Sequence, residues 1–338
     1  MKAKVFCAAA VSAMLIPGFA QASQVTLRLS HWVPATIAPA SAGIEPWARA
    51  VEEASEGRIR IQIFPAQQIG AAPDHYDMAR DGIADITWVN PGYTAGRFPI
   101  FGLSEVPFHV SDSVAGAKAL HEWYQEYMSV EMGDVKFCVM HPHGPGALHS
   151  KRLMTVPADL RGVNVRPAHA TMSRFISQLG GAPVQVPAPE AREALARGTA
   201  DAVTFPWGAM YDFRLAPVTT YHLDMPFYIS TQVLLINQNT YARLSDENKA
   251  VLDAHCTPEW SSKISEGWAA DDASARERLM QDPTQTLHQP TDEEVALWRE
   301  AAEGVLQAWK DEVNGRGHDA DAIYDAYLQA LERNNARY

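Results

Sequence analysis

Leu160-Arg161-Gly162-Val163-Asn164-Val165-Arg166-Pro167 is the stretch around which the rest of the chain can be placed, with its continuation to Trp207. Val163 and Val165 mark a short strand that ends on Arg166, and Pro167 stops it at once. A helix is expected from Thr171 to Leu179, then a Gly-Gly-Ala-Pro break and a second short strand from Pro183 to Val186. A further helix carries Glu190 near its start, and Gly198-Thr199-Ala200-Asp201-Ala202-Val203 returns to strand. An arginine at a strand end that faces a cleft is a fixed two-pronged donor for one carboxylate or sulfonate. A solvated surface arginine is the plainer alternative, and only the surroundings can decide between them.

Those surroundings are an ordinary globular composition. With 338 residues, 47% hydrophobic and 20% charged, the chain holds one large or two medium domains and is neither disordered nor fibrous. Its net charge of −12 disfavours a nucleic-acid or anionic-membrane surface. It does not bar an anionic ligand, because one local arginine can override the global field. Lys2 and Lys4, the apolar run Val5 to Phe19 and the small residues Ala20 and Ala22 read as a cleavable secretory signal over residues 1–22. The mature protein is therefore expected in the periplasm. After cleavage Cys138 and Cys256 remain, either paired or as two separate buried thiols.

Along the mature chain, Val25 to Ser30 alternates like a strand and runs into His31-Trp32. A helix follows from about Ser41 to Ser55, with Ile44, Trp47, Ala48 and Val51 on one stripe. Arg58 to Phe64 alternates again, Pro73 to Arg80 is a short helix, and Gly82 to Val89 is a third strand. Strand–helix alternation with short connections predicts parallel strands flanked by helices. Ligands of such sheets sit beyond the carboxyl ends of the strands, where His31, Trp32 and Asn90 fall. A helix from Ser113 to Met128 precedes a strand from Val135 to Met140. His141-Pro142-His143-Gly144-Pro145-Gly146 is the candidate lobe crossing. The alternation then repeats, Thr231 to Asn237 is a buried strand that crosses back, and four helical stretches close the chain.

The chain contains no nucleophile elbow, phosphate loop, zinc-protease pair or dinucleotide fingerprint, and no cofactor or metal is expected. His141 and His143 lack a third ligand nearby and read as loop or pocket residues. Glu190 and Glu193 read as a charged first helical turn. Trp88, Tyr93, Phe205 and Trp207 cluster at strand ends beside Asn90, His31 and Arg166, which makes a pocket plausible.

The chain resembles the periplasmic solute-binding proteins of TRAP transporters, the C4-dicarboxylate-binding type, over nearly its whole mature length. The likeness is carried by motifs in order: Leu29-Ser30-His31-Trp32, Ser55 to Ile61, Phe64-Pro65-Ala66-Gln67-Gln68-Ile69-Gly70 and Asp81 to Ile86. Leu160 to Arg166, Gly180 to Val184, Glu190 and Ala194 to Asp201 complete them. The resemblance implies a two-lobed α/β periplasmic-binding-protein fold of type II, with mixed sheets flanked by helices and a long bracing helix. Lobe I would comprise residues 23–143 and about 232–275, and lobe II residues 144–231 and about 276–338. The implied function is to capture a small organic acid and deliver it to the two membrane subunits of an ion-driven transporter. An enzyme using His31 or His143 as a base, or a sensor lobe, is the alternative.

By the same resemblance Arg166 pairs with the ligand's acid group, while Asn90, His31 and Trp32 sit at contact positions after two strands. Ala202 and Phe205 replace the usual glycine and asparagine, Ala188 stands where an aromatic often packs, and the second arginine of sialic-acid binders is missing near Gly146. The implied pocket is one anion clamp in an aromatic surround. Such a pocket suits a monocarboxylate, a 2-oxo or hydroxy acid with an aliphatic or aromatic tail, or a small sulfonate. The expected ligand contacts are Arg166, Asn90, His31, Trp32, Phe205, Trp88, Tyr93, His143 and Trp207.

Overall fold

A computed structural model describes residues 24–338, so the secretory signal expected over residues 1–22 lies outside the described residues. The first unit runs β1 (Val25–Ser30), α1 (Glu45–Ala54), β2 (Ile59–Phe64), α2 (His75–Asp81) and β3 (Ile86–Val89). It continues through α3 (Ser113–Tyr124), α4 (Met128–Glu131) and β4 (Val135–Pro142). The expected helix at 41–55 is split: a wide turn at Pro39–Ile44 leads into α1, whose stripe Trp47, Ala48 and Val51 is buried. The aromatic helix expected to reach Met128 stops at Tyr124, and α4 is a separate turn.

The chain then crosses over through His143–Pro145 and builds β5 (Gly146–Ser150), β6 (Asn164–Arg166), α5 (Ala170–Gln178) and β7 (Ala182–Pro183). Next come α6 (Ala191–Ala196), β8 (Ala202–Phe205), α7 (Ala209–Asp212) and β9 (Tyr221–Tyr228). The strand β10 (Thr231–Asn237) returns to the first unit, followed by α8 (Gln238–Arg243), α9 (Asp246–Ala254) and α10 (Pro258–Gln281). Short β11 (Thr286–His288), α11 (Asp292–Gly315) and α12 (Ala320–Arg333) finish the chain.

Two mixed sheets result, ordered β2-β1-β3-β10-β4 and β11-β9-β5-β8-β6-β7. In the first, β1 pairs parallel with β2 and β3, while β10 runs antiparallel between β3 and β4. In the second, β6 is parallel to β7 and β8, and β5 is antiparallel to β8 and β9. The protein is thus a mixed α/β molecule with two helix-flanked sheets.

The late helices begin where side-chain oxygens can satisfy first-turn amides. Thr257 accepts from the Trp260 amide, Thr291 and Glu294 form a reciprocal capping box, and Asp319 accepts from Ala322. Each such cap is worth about 1 kcal/mol. The 24-residue helix α10 packs on α3 and β4 at one end and on α7 and β11 at the other, so it braces both sheets. Its buried Asp272 accepts from the Gly144 amide at 3.0 Å and the Gly208 amide at 2.8 Å. A Cβ on Gly144 would meet that carboxylate at 2.6 Å, which is why glycine stands there. Helix α11 packs on α5, and α12 lies against α3. Cys138 and Cys256 are paired, with Cα atoms 4.3 Å apart, tying β4 to the segment just before α10. Among the described residues, no helix is long and apolar enough to cross a membrane.

Candidate functional site: an aromatic cleft around Arg166

Strand β6 pairs with β8 in the register Val165 to Ala202 and Arg166 to Val203, so Val165 enters the core and Arg166 faces the other way. Pro167 then carries the chain off the sheet and leaves the guanidinium at the strand's carboxyl end. There it is only 1% exposed. Its Nε donates to the Val186 carbonyl at 3.0 Å and its Nη1 to the Thr204 carbonyl at 3.5 Å. Nη2 is buried without a partner, and the guanidinium carbon lies 4.4 Å over the Phe205 ring. Among the described residues no carboxylate pairs with it. A buried cation with an unused donor is costly unless something fills it.

The space it faces is a cleft between the two sheets. The first sheet contributes Trp32 after β1 and Asn90 and Tyr93 after β3; the second contributes Arg166 and Phe205; Trp268 comes from α10. Trp32 stacks on Trp88 with ring centroids 4.8 Å apart and planes 20° apart, and Trp88 stacks in turn on His141 at 5.9 Å. The Trp88 indole donates to His141 Nε2 at 2.8 Å, which needs a neutral imidazole there, and burial holds that ring down at about 3. The Trp32 Nε1–H is buried and unpartnered. Asn90 accepts from the Gly92 amide at 3.0 Å through Oδ1.

His143 also lines the cleft, and both its ring nitrogens are taken by main chain. Nε2 accepts from the Ser230 amide at 2.9 Å and Nδ1 donates to the Gly144 carbonyl. Burial lowers it to about 4; the Gly144 carbonyl pulls upward and the Arg166 charge pushes it down further. Such a ring is a neutral structural clamp with no lone pair left for a substrate proton. Among the described residues there is no cluster of His, Cys, Asp and Glu able to hold a metal.

Seven of the nine expected contacts come together here: Arg166, Asn90, Trp32, Phe205, Trp88, Tyr93 and His143. Two do not line the cleft. His31 is fully buried on the side of α2, where His75 adds its charge effect to a burial that lowers the ring to about 4. Trp207 packs edge-on to His149 at 5.0 Å, inside the second unit. Adjacent residues after β1 thus part company: Trp32 turns to the cleft, His31 away from it. Trp268, Gln232 and Asp212 line the cleft without having been singled out in the sequence. Gln232 sits on the returning strand β10, a position that the buried-strand pattern alone could have brought forward.

Two α/β units joined by crossing strands, with a lone buried guanidinium in the cleft between them, define a two-lobed solute receptor. The sequence pattern of bacterial extracellular solute-binding proteins, family 7, matches residues 29–312, and the chain belongs to that family. Its solved neighbours are TRAP solute-binding proteins. One from Rhodoferax ferrireducens, in complex with copurified benzoate, superposes with a TM-score of 0.88 at 28% identity, covering 92% of this chain and 99% of its own. A marine metagenome protein specific for aromatic acid ligands, with 3-hydroxybenzoate, gives a TM-score of 0.87 at 28% identity and the same coverage. A Bordetella bronchiseptica protein with bound (R)- and (S)-mandelate gives 0.85 at 27% identity, covering 91% and 99%.

Proposed function

We propose that this chain captures an aromatic monocarboxylate in the periplasm and hands it to the membrane subunits of a TRAP transporter. One observation carries the reading: the buried Nη2 of Arg166 is unpartnered in a cleft walled by Trp32, Tyr93, Phe205 and Trp268. The ligand's acid group would complete that guanidinium, and its ring would lie among the indoles and the Phe205 side. Exclusion of water on closure strengthens the pair, since attraction grows as the effective dielectric falls. The benzoate, 3-hydroxybenzoate and mandelate found in the similar receptors are all aromatic monoacids, which supports the same class here. The Cys138–Cys256 disulfide fits an oxidising compartment, as a cleaved secretory signal would require.

The test is a mass spectrum of whatever copurifies, followed by calorimetry with benzoate, mandelate, benzenesulfonate, succinate and a sugar acid. The aromatic monoacids should bind most tightly, with the sulfonate tolerated. Tighter binding of succinate or the sugar acid would overturn the reading.

A further inference from the structure

Asp212 lines the same cleft, at the carboxyl end of α7. Its amide donates to the Gly208 carbonyl, while its carboxylate has no ion-pair or hydrogen-bond partner among the described residues. It stands apart from Arg166 through two rings, because the guanidinium lies on Phe205 and Phe205 in turn meets Phe213, beside Asp212, at 5.6 Å. Behind it on α10 are Asp271, whose Oδ2 is buried and unpartnered, and Asp272, whose oxygens are spent on the Gly144 and Gly208 amides. On the same helix Arg278 is stacked over Tyr211 at 3.8 Å, and Arg276 is paired with Asp224. The cleft therefore has a cationic side built by Arg166 and an acidic side built by Asp212.

We infer that Asp212 sets ligand specificity, rejecting a second acid group and accepting a hydroxyl or amino donor on the ring. The inference rests on the monocarboxylate reading of Arg166 and extends it. At pH 8, where Asp212 is largely ionised, a second carboxylate carried toward it would meet a like charge, which is how a binding site discriminates by repulsion. A phenolic hydroxyl or aniline nitrogen at the same place would donate to the Asp212 oxygens. Burial, and after it the Asp271 charge, pushes the Asp212 carboxyl up to about 7, so its acceptor strength rises between pH 6 and 8.

Calorimetry at pH 8 with benzoate, 3-hydroxybenzoate, 3-aminobenzoate and benzene-1,3-dicarboxylate tests this on the full mature chain, its Asp212→Asn variant and its Asp212→Leu variant. The readout is the ratio of each affinity to that of benzoate within one protein, which cancels changes in fold or in basal affinity. The native chain should favour the hydroxy and amino acids over benzoate several-fold and disfavour the diacid by about tenfold or more. The diacid penalty should shrink in both variants, and the donor preference should vanish in Asp212→Leu. Ratios that stay unchanged in both variants overturn the role of Asp212 and leave the Arg166 reading standing. No binding of any of the four acids would overturn both.

Discussion

The Arg166 guanidinium lies 4.4 Å above the Phe205 ring, and this contact takes the place that a carboxylate would usually fill. The ring face fixes the plane of the fork while two carbonyls hold Nε and Nη1, so Nη2 is presented in advance. Arg166→Ala should cost roughly 2–5 kcal/mol of acid binding, the range for a buried charge pair losing a partner. Arg166→Met should separate binding from folding. It removes a buried, incompletely satisfied cation, so the ligand-free protein should melt no lower than the native chain while its ligand-induced shift disappears. Calorimetry and thermal melts on both variants decide it; unaltered benzoate affinity in either would remove Arg166 from the site.

Tyr93 and Ala188 join the two units across the cleft: the Ala188 amide donates to the Tyr93 hydroxyl at 3.1 Å. The small Ala188 side chain leaves Tyr93 room to reach across from the other unit. Opening the cleft must break this bond. Tyr93→Phe keeps the ring and removes only the acceptor, which should weaken binding by about 0.5–1.5 kcal/mol. The loss should appear mainly in the dissociation rate, as most affinity changes within one site do. Stopped-flow traces showing a slower association with unchanged dissociation would contradict the latch.

Much of this cleft was legible in the sequence because it is built at strand ends. The strand patterns at 25–30, 82–89 and 163–166 locate those ends, and Trp32, Asn90 and Arg166 fall on or just beyond them. Strand β9 was not legible, since Asp224 and Pro226 interrupt its pattern. The structure tolerates both for local reasons. Asp224 is paired with Arg276 from α10, and Pro226 lies beyond the reach of β11, which pairs only with Tyr221 to Leu223. Trp268 and Asp212 reach the cleft through the placement of α10 and α7, a long-range matter that no local spacing encodes. The opposite fates of His31 and Trp32 depend on one backbone turn after β1.

His141 gives a pH prediction with a definite sign. Burial holds its folded value at about 3, below the ordinary 6.5 of an unfolded chain. Between these values the unfolded state binds the extra proton, so stability falls as pH is lowered through that window. His141→Gln keeps an acceptor for the Trp88 indole and removes the titration. The variant should lose stability less steeply than the native chain from pH 6.5 to 4, by up to about 1 kcal/mol per pH unit. Parallel denaturant titrations across that range provide the check, and equal slopes would mean that the imidazole is not held neutral.

The Cys138–Cys256 bridge closes a loop spanning 118 positions, from β4 to the entry of α10. Close by, the Trp47 indole donates to the His255 carbonyl at 2.8 Å, so α1 is fastened to the same point. Constraining a loop this long restricts the unfolded chain, and the chain-entropy estimate is roughly 4–5 kcal/mol. The bridge lies within the first unit and its bracing helix, away from the residues that line the cleft. Replacing both cysteines by alanine should therefore lower the melting temperature by several degrees while leaving acid affinity at 20 °C within about twofold. The same loss should follow reduction of the native chain. A large fall in affinity at a temperature where the reduced protein is still folded would show that the bridge also sets the position of α10 against the cleft.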